Sequence, residues 1–191
     1  MLMGISQVDL AILLPAFAAA WSLAGGATTF AAHQESGRSY RSPDGNFSIE
    51  VPPGWDHCTQ ESSNEVTFVC GKISVSVATE ETEAGDTVDQ LLELNKSFLR
   101  SICPVAEAWA EGRTTVAGAS GAYFTMYCPA PRERTIVRIA ASLIRKKFYI
   151  FKVAAPSAEL FAVQATIDRM AQSFRACDGP TQSPEPCKRA C

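Results

Sequence analysis

Tyr40-Arg41-Ser42-Pro43-Asp44-Gly45-Asn46-Phe47-Ser48-Ile49-Glu50-Val51-Pro52-Pro53-Gly54-Trp55 holds the densest structural signal of the chain. Ser42-Pro43-Asp44-Gly45 has Pro and Gly where a reverse turn uses them, Pro for its fixed φ and Gly for its freedom at positive φ. Phe47, Ile49 and Val51 then alternate with Ser48 and Glu50, the period of two that gives a strand one core face and one wet face. Pro52-Pro53-Gly54 ends the strand, because proline has no N–H to give to a ladder. Trp55 follows as a core anchor.

Further along, Val66, Phe68 and Cys70 alternate, Gly71-Lys72 marks a turn, and Ile73, Val75 and Val77 alternate with Ser74 and Ser76. That is a hairpin with one apolar and one polar face. After Gly85-Asp86, Thr87-x-x-Gln90 has the form of a capping box. Val88, Leu91, Leu92, Phe98, Leu99 and Ile102 fall on one face of the helix it opens, and Cys103-Pro104 closes it. The spacing predicts four more strands, Thr114–Ala117, Ala122–Tyr127, Thr135–Leu143 and Phe148–Val153, with Arg145-Lys146-Lys147 as the last turn. A second helix opens at Pro156-Ser157 with Ser157 as its expected N-cap. Leu160, Val163, Ile167, Met170, Ala171 and Phe174 form its expected buried stripe. Strand and hairpin, helix, consecutive strands, helix is the order of an α+β domain, a largely antiparallel sheet flanked by helices. The strict βαβ rhythm of a doubly wound fold is missing.

Tyr40–Trp55 resembles the opening of the PsbP-like superfamily, in which a strand with a Phe leads to a Pro-x-Gly-Trp-like turn. The closing stretch is similar to that group as well: a hairpin into Ala155-Pro156, then a helix ending Met170-Ala171-Gln172-Ser173-Phe174. The likeness covers about residues 40–175, and its motifs are packing and turn signatures. It implies an α/β/α sandwich around an antiparallel sheet. Members of the group include an extrinsic photosystem II subunit, a Ran-binding nuclear-transport factor and exported bacterial proteins. What they share is accessory binding to other proteins, so the resemblance implies a binding role and brings no active site with it.

A chain of 191 residues, 47% hydrophobic and 19% charged, suits one domain with appendages. The expected division is a signal peptide over residues 1–32, a polar lead-in over 33–39, one domain over 40–177 and a Pro- and Cys-containing tail over 178–191. Leu10 to Ala32 carries no charge, and Thr29-Phe30-Ala31 offers the small residues of a cleavage site, used after Ala31 or Ala32. Met1 to Val8 lacks the basic residues such a signal normally opens with, and Asp9 is acidic. The alternative is a retained N-terminal anchor, since about 23 residues at 1.5 Å each can span a bilayer. Pro15 and the Ala- and Gly-rich composition make it a weak one. All seven cysteines, Cys58, Cys70, Cys103, Cys128, Cys177, Cys187 and Cys191, follow the leader. That usage fits a periplasmic or secreted protein in an oxidising compartment, and the odd number leaves at least one thiol without a partner inside the chain. The expected bridges are Cys58–Cys70, Cys103–Cys128, and Cys177 with Cys187 or Cys191.

Reactive constellations are absent from the pattern. The formal net charge of −3 is a poor match for nucleic acid, whose binding rests on neutralising phosphates. The two histidines are His33 and His57. In an extended segment His57 points away from its neighbour Cys58, so the two cannot act as base and nucleophile. Gly118-Ala119-Ser120-Gly121-Ala122 has its second Gly one position early for a nucleophile elbow and precedes a strand, so it reads as a turn. Cys177, Cys187 and Cys191 have no familiar zinc spacing. The reading therefore holds no catalytic, cofactor-binding or metal-binding residue. Charge is nonetheless uneven: Glu80, Glu81, Glu83, Asp86, Asp89 and Glu93 gather around the first helix. Arg134, Arg138, Lys146 and Lys147, with Arg132 and Arg145, mark the late hairpin. Arg134, Arg138, Lys146 and Lys147 are the candidate basic patch for steering an acidic partner. The expected function is an exported, non-enzymatic binding or accessory domain acting on another cell-envelope protein, with membrane contact only through an uncleaved leader. The alternatives are a small-ligand carrier with a pocket between sheet and helix, and a hydrolase.

Overall fold

A computed structural model describes residues 37–59, 64–129 and 134–177. The leader, most of the lead-in, His33, Arg132, Cys187, Cys191 and the tail lie outside these residues. The turn at Ser42–Gly45 is present, with Gly45 at φ 70° and its N–H donating to the Ser42 carbonyl at 2.9 Å. It joins β1 (Arg38–Arg41) to β2 (Phe47–Val51). A second turn, with Gly54 at φ 77°, delivers Trp55 to the core and leads into β3 (Asp56–Thr59). β4 (Glu65–Cys70) and β5 (Ile73–Glu81) form the expected hairpin around Gly71 at φ 59°.

Helix α1 spans Val88–Ile102, and its capping box is made at both ends: Gln90 N–H donates to Thr87 Oγ1 at 3.2 Å and Thr87 N–H to Gln90 Oε1 at 2.9 Å. Four long strands follow, β6 (Glu107–Val116), β7 (Ala119–Pro129), β8 (Arg134–Ile144) and β9 (Lys147–Pro156). Helix α2 (Ser157–Ser173) and a two-residue β10 (Arg175–Ala176) complete the order. Seven strands make one antiparallel sheet in the order β3-β4-β5-β9-β8-β7-β6, and β1-β2-β10 make a small second sheet. The architecture is α+β, as the element order predicts.

The period of two in the central strands builds two cores. From β9, Phe148 and Ile150 join Phe124, Met126, Ile139 and Ala141 beneath α1. Tyr149, Phe151, Val153 and Ala155 of the same strand face the other way, into the core formed with β2, Trp55 and α2. A strand buried on both faces reads as an unbroken apolar run, which is why Phe148–Val153 is so plain in the sequence. On the α2 side, Phe174 is fully buried with the rings of Phe47, Tyr149 and Phe151 within 5.7–6.3 Å of its own.

Several local expectations change. Ser157 is the first helical residue of α2; the cap position is Pro156, which makes no side-chain cap bond. Phe98 and Ile102 do not belong to the buried stripe of α1, where Leu91, Leu92 and Leu99 do the packing. Phe98 is 41% and Ile102 57% exposed, although buried Leu99 lies between them in the chain. The strand expected at Thr114–Ala117 begins instead at Glu107, and β1, β3 and β10 were not expected at all.

Candidate functional site

The face of the large sheet that carries α2 is only partly covered. The helix lies mainly over β2, β8 and β9, so a cavity of 240 Å³ remains between α2 and the outer strands, with Ile136, Val153 and Ile167 as its buried floor. Leu160, Phe161 and Gln164 of α2 form one wall, and Trp109, Ala110, Thr125 and Arg138 the other. Among the described residues, no carboxylate lines it.

Trp109 reaches this groove through a backbone irregularity. Ala108 pairs with Met126 and Ala110 with Thr125, so the register shifts across Trp109 and leaves it without a partner on β7. A bulge of this kind turns a side chain to a face that regular alternation would deny it. Trp109 is 57% exposed, and Phe161, on the solvent side of α2, is 71% exposed. Two large rings left in water at the mouth of an apolar groove are the compositional mark of a binding surface.

Arg138 is the one charged group in the lining. It is half-buried, its guanidinium lies over the Tyr123 ring at 5.0 Å, and its Nε donates to Thr125 Oγ1 at 3.2 Å. Lys96, Arg113, Lys147 and Lys152 each hold a carboxylate. Arg138 has no ion pair among the described residues.

The expected basic patch does not assemble as one surface. Arg134 and Arg138 do share a face of β8, but Arg134 opens that strand while Lys146 and Lys147 sit beyond its other end. Ten residues at about 3.4 Å each separate the two ends. At the far tip, Arg145 and Lys146 take positive φ (50° and 65°) in a two-residue hairpin turn. Lys147 pairs with Glu81 at 3.0 Å and donates to Asn46 Oδ1 at 2.8 Å. The acidic cluster is likewise occupied: Asp89 takes a two-pronged contact from Arg113 at 3.2 Å, and Glu93 and Glu111 hold Lys96 at 2.8 and 2.6 Å. Those hydrogen bonds, Glu111 first, raise the pKa of Lys96, and Lys96 in turn lowers that of Glu111.

Among the cysteines, Cys103 and Cys128 form a disulfide from the end of α1 to β7, as expected. The Cys58–Cys70 bridge is corrected. Cys58 stands opposite Thr67, and Cys70 lies three positions further along β4 and on the other face. That offset, about 10 Å along the strand, exceeds what a disulfide spans, and Cys70 is a free thiol. Cys177 is also free and lines a second cavity with Asn46, Arg145 and Lys147; Cys187 and Cys191 lie outside the described residues. Ser120 sits in β7 just after the Ala117-Gly118 hairpin turn. Among the described residues no three His, Cys, Asp or Glu side chains converge as a metal set, and no helix is long and apolar enough to cross a membrane.

A second exposed apolar surface lies on α1, where Leu94, Phe98 and Ile102 follow one another at four-residue spacing. Helical spacing places Phe98 and Ile102 on the packed face of α1, and the apolar periods of the sequence leave out Leu94, Trp109 and Phe161. The available signal was the offset of Phe161 from the Leu160, Val163, Ile167, Met170 stripe of its own helix.

No family model matches the chain, and no curated protein does. Solved structures do. CyanoP, the PsbP protein of the cyanobacterium Synechocystis sp. PCC 6803, aligns at 15% identity and TM-score 0.57 over 78% of this chain and 98% of its own. Mog1p, a Ran-binding protein of Saccharomyces cerevisiae, aligns at 12% and 0.54 over 73% and 94%. LpqN of Mycobacterium tuberculosis, involved in cell envelope biogenesis, aligns at 12% and 0.54 over 76% and 87%. The fold is the one these three proteins have, which bears out the resemblance seen in Tyr40–Trp55.

Proposed function

We propose, from a PsbP-like fold with a half-open sheet–helix groove, that this chain is an exported, non-enzymatic accessory domain that binds another protein of the cell envelope. The observation that carries the reading is the groove of Trp109, Phe161 and Arg138, two exposed rings beside a cation with no carboxylate partner. Aromatic and Arg side chains of this kind supply most of the energy at protein interfaces. The described residues of the lining include no acid to act as proton donor or base, which fits a role without chemistry. Export is supported by the Cys103–Cys128 disulfide.

A second reading, a carrier of a small apolar ligand, draws on the same position between sheet and helix. The cavity volume of 240 Å³ is below the range of about 300–1,000 Å³ in which pockets enclose a ligand. A side chain of a larger partner suits it better.

Affinity capture from the envelope fraction tests the reading, with the mature domain as bait. A protein retained by the wild type is expected to be lost with W109A/F161A and kept with L94S/F98S, which alters the α1 stripe instead. Equal retention by W109A/F161A, or loss with L94S/F98S alone, overturns the assignment to the groove.

A further inference from the structure

We infer that the segment docking in this groove presents an Asp or Glu carboxylate directly beside an apolar side chain, the carboxylate going to Arg138 and the apolar group to Trp109 and Phe161. This rests on the reading of the groove as a protein-docking surface. Arg138 is held before any partner arrives: its guanidinium carbon lies over the Tyr123 ring, 5.0 Å from the centroid, and its Nε donates to Thr125 Oγ1 at 3.2 Å. That leaves the two terminal nitrogens as a fork with no carboxylate from the described residues. A guanidinium half removed from water by Ile136, Tyr123 and the α2 wall lacks compensation that a carboxylate supplies through two parallel hydrogen bonds. The cation–π contact and the Nε hydrogen bond also restrict the fork, so less side-chain freedom remains to be lost on binding.

The apolar half of the recognition follows from the bulge. By turning Trp109 onto the α2 side, the shift at Ala108/Ala110 sets an indole at the rim of the same small cavity. Because both Trp109 and Phe161 are mostly outside the cavity, the occupant must extend beyond it. A polypeptide does so and a small acid does not.

The chain itself carries the probe. Of the three tryptophans, Trp21 lies in the expected leader, Trp55 is buried and Trp109 is exposed, so the indole N–H of Trp109 can be followed by NMR and assigned with W109F. The ligands are acetyl-Phe-Glu-Leu-amide, its Gln and Lys counterparts, and octanoate. The Glu peptide is expected to shift the Trp109 signal and to bind about tenfold more tightly than the Gln peptide, with the Lys peptide weaker still. Arg138→Gln should erase the Glu-over-Gln preference while leaving the weak Gln-peptide contact; Arg138→Lys, which keeps charge and loses the fork, should retain part of it. Equal affinity for Glu and Gln peptides overturns the inference, as does absence of any shift up to about 10 mM peptide. Octanoate moving Trp109 where the Glu peptide does not makes the occupant a small acid and also overturns it. If W109A/F161A still abolishes envelope capture while the peptides show no charge preference, the docking reading stands and this inference alone falls.

Discussion

The two helices cover opposite faces of one sheet and are held there by different means. On one face α1 is fastened by polar and covalent devices: a complete capping box, the Arg113–Asp89 and Lys96–Glu111 contacts to β6, and the Cys103–Cys128 bridge at its end. It buries only Leu91, Leu92 and Leu99. On the other face α2 has no side-chain cap. It relies on Ile167, Met170 and the following Phe174, sunk among Phe47, Tyr149 and Phe151, with one hydrogen bond from Glu50 N–H to Ser173 Oγ at 2.9 Å. A short amphipathic helix can be stabilised at its ends and edges or along its buried stripe, and here each solution occurs once. The lesson for function is that the side resting mainly on burial is also the side left half open.

The largest test of that contrast is Phe174→Ala. Removing a fully buried ring from an aromatic cluster costs about 3–5 kcal/mol, read as a lower urea midpoint. Leu99→Ala, at the less enclosed α1 face (Leu99 is 8% exposed), should cost about 2 kcal/mol, at the low end for buried leucines. Equal losses would remove the distinction between the faces.

The disulfide comes next. C103S/C128S should lower stability by about 2–4 kcal/mol, the range for closing a loop of this size, and should loosen α1 more than α2 in hydrogen exchange. Peptide mapping without reductant is expected to find Cys103 linked to Cys128 and Cys70 open to alkylation. A Cys58–Cys70 peptide would show that the β3–β4 register is wrong.

What could be read in advance divides along similar physical lines. Phe47–Val51, the capping box at Thr87 and the doubly buried β9 are local signals that the structure obeys. β6 left almost no trace because nearly all of Glu107–Thr115 is exposed, and a strand polar on both faces has no period to detect. β10 is two residues long and exists only by pairing with Ser48 and Phe47, far away in the chain. Phe98 and Ile102 show a further limit: helical spacing groups them with Leu91 and Leu99, yet in the structure both are exposed. In the groove, Arg138 is visible from charge, but charge alone also groups it with Lys146 and Lys147, which the length of β8 puts at the opposite end of the strand from Arg134. Trp109 depends on a bulge that no residue type announces.

The smallest expected effect separates the faces by pH. Lys96 has a raised pKa, from hydrogen bonds to Glu111 and then Glu93 that outweigh the cost of burial. The folded state therefore favours its charged form, so its contribution is complete below the unfolded lysine value, about 10.4, and fades as pH rises through the higher folded one. Asp44, in the turn before β2, behaves oppositely. Burial pushes its pKa up, but hydrogen bonds from Ser42 and Asn46 and the charge of Lys147 together bring it below the usual carboxylate value. Its contribution is complete above about pH 4 and fades as pH falls through the lower folded value. Urea midpoints for wild type, Lys96→Met and Asp44→Asn across the pH range read both limbs. The wild-type advantage over Lys96→Met should shrink on the alkaline side as Lys96 loses its proton, and on the acid side as Glu111, whose pKa Lys96 lowers, gains one. That over Asp44→Asn should shrink on the acid side. Were the advantage over Lys96→Met to persist undiminished through the alkaline limb, or that over Asp44→Asn to fade there as strongly, the α1 face could not be said to rest on its lysine in a way that the α2 face does not.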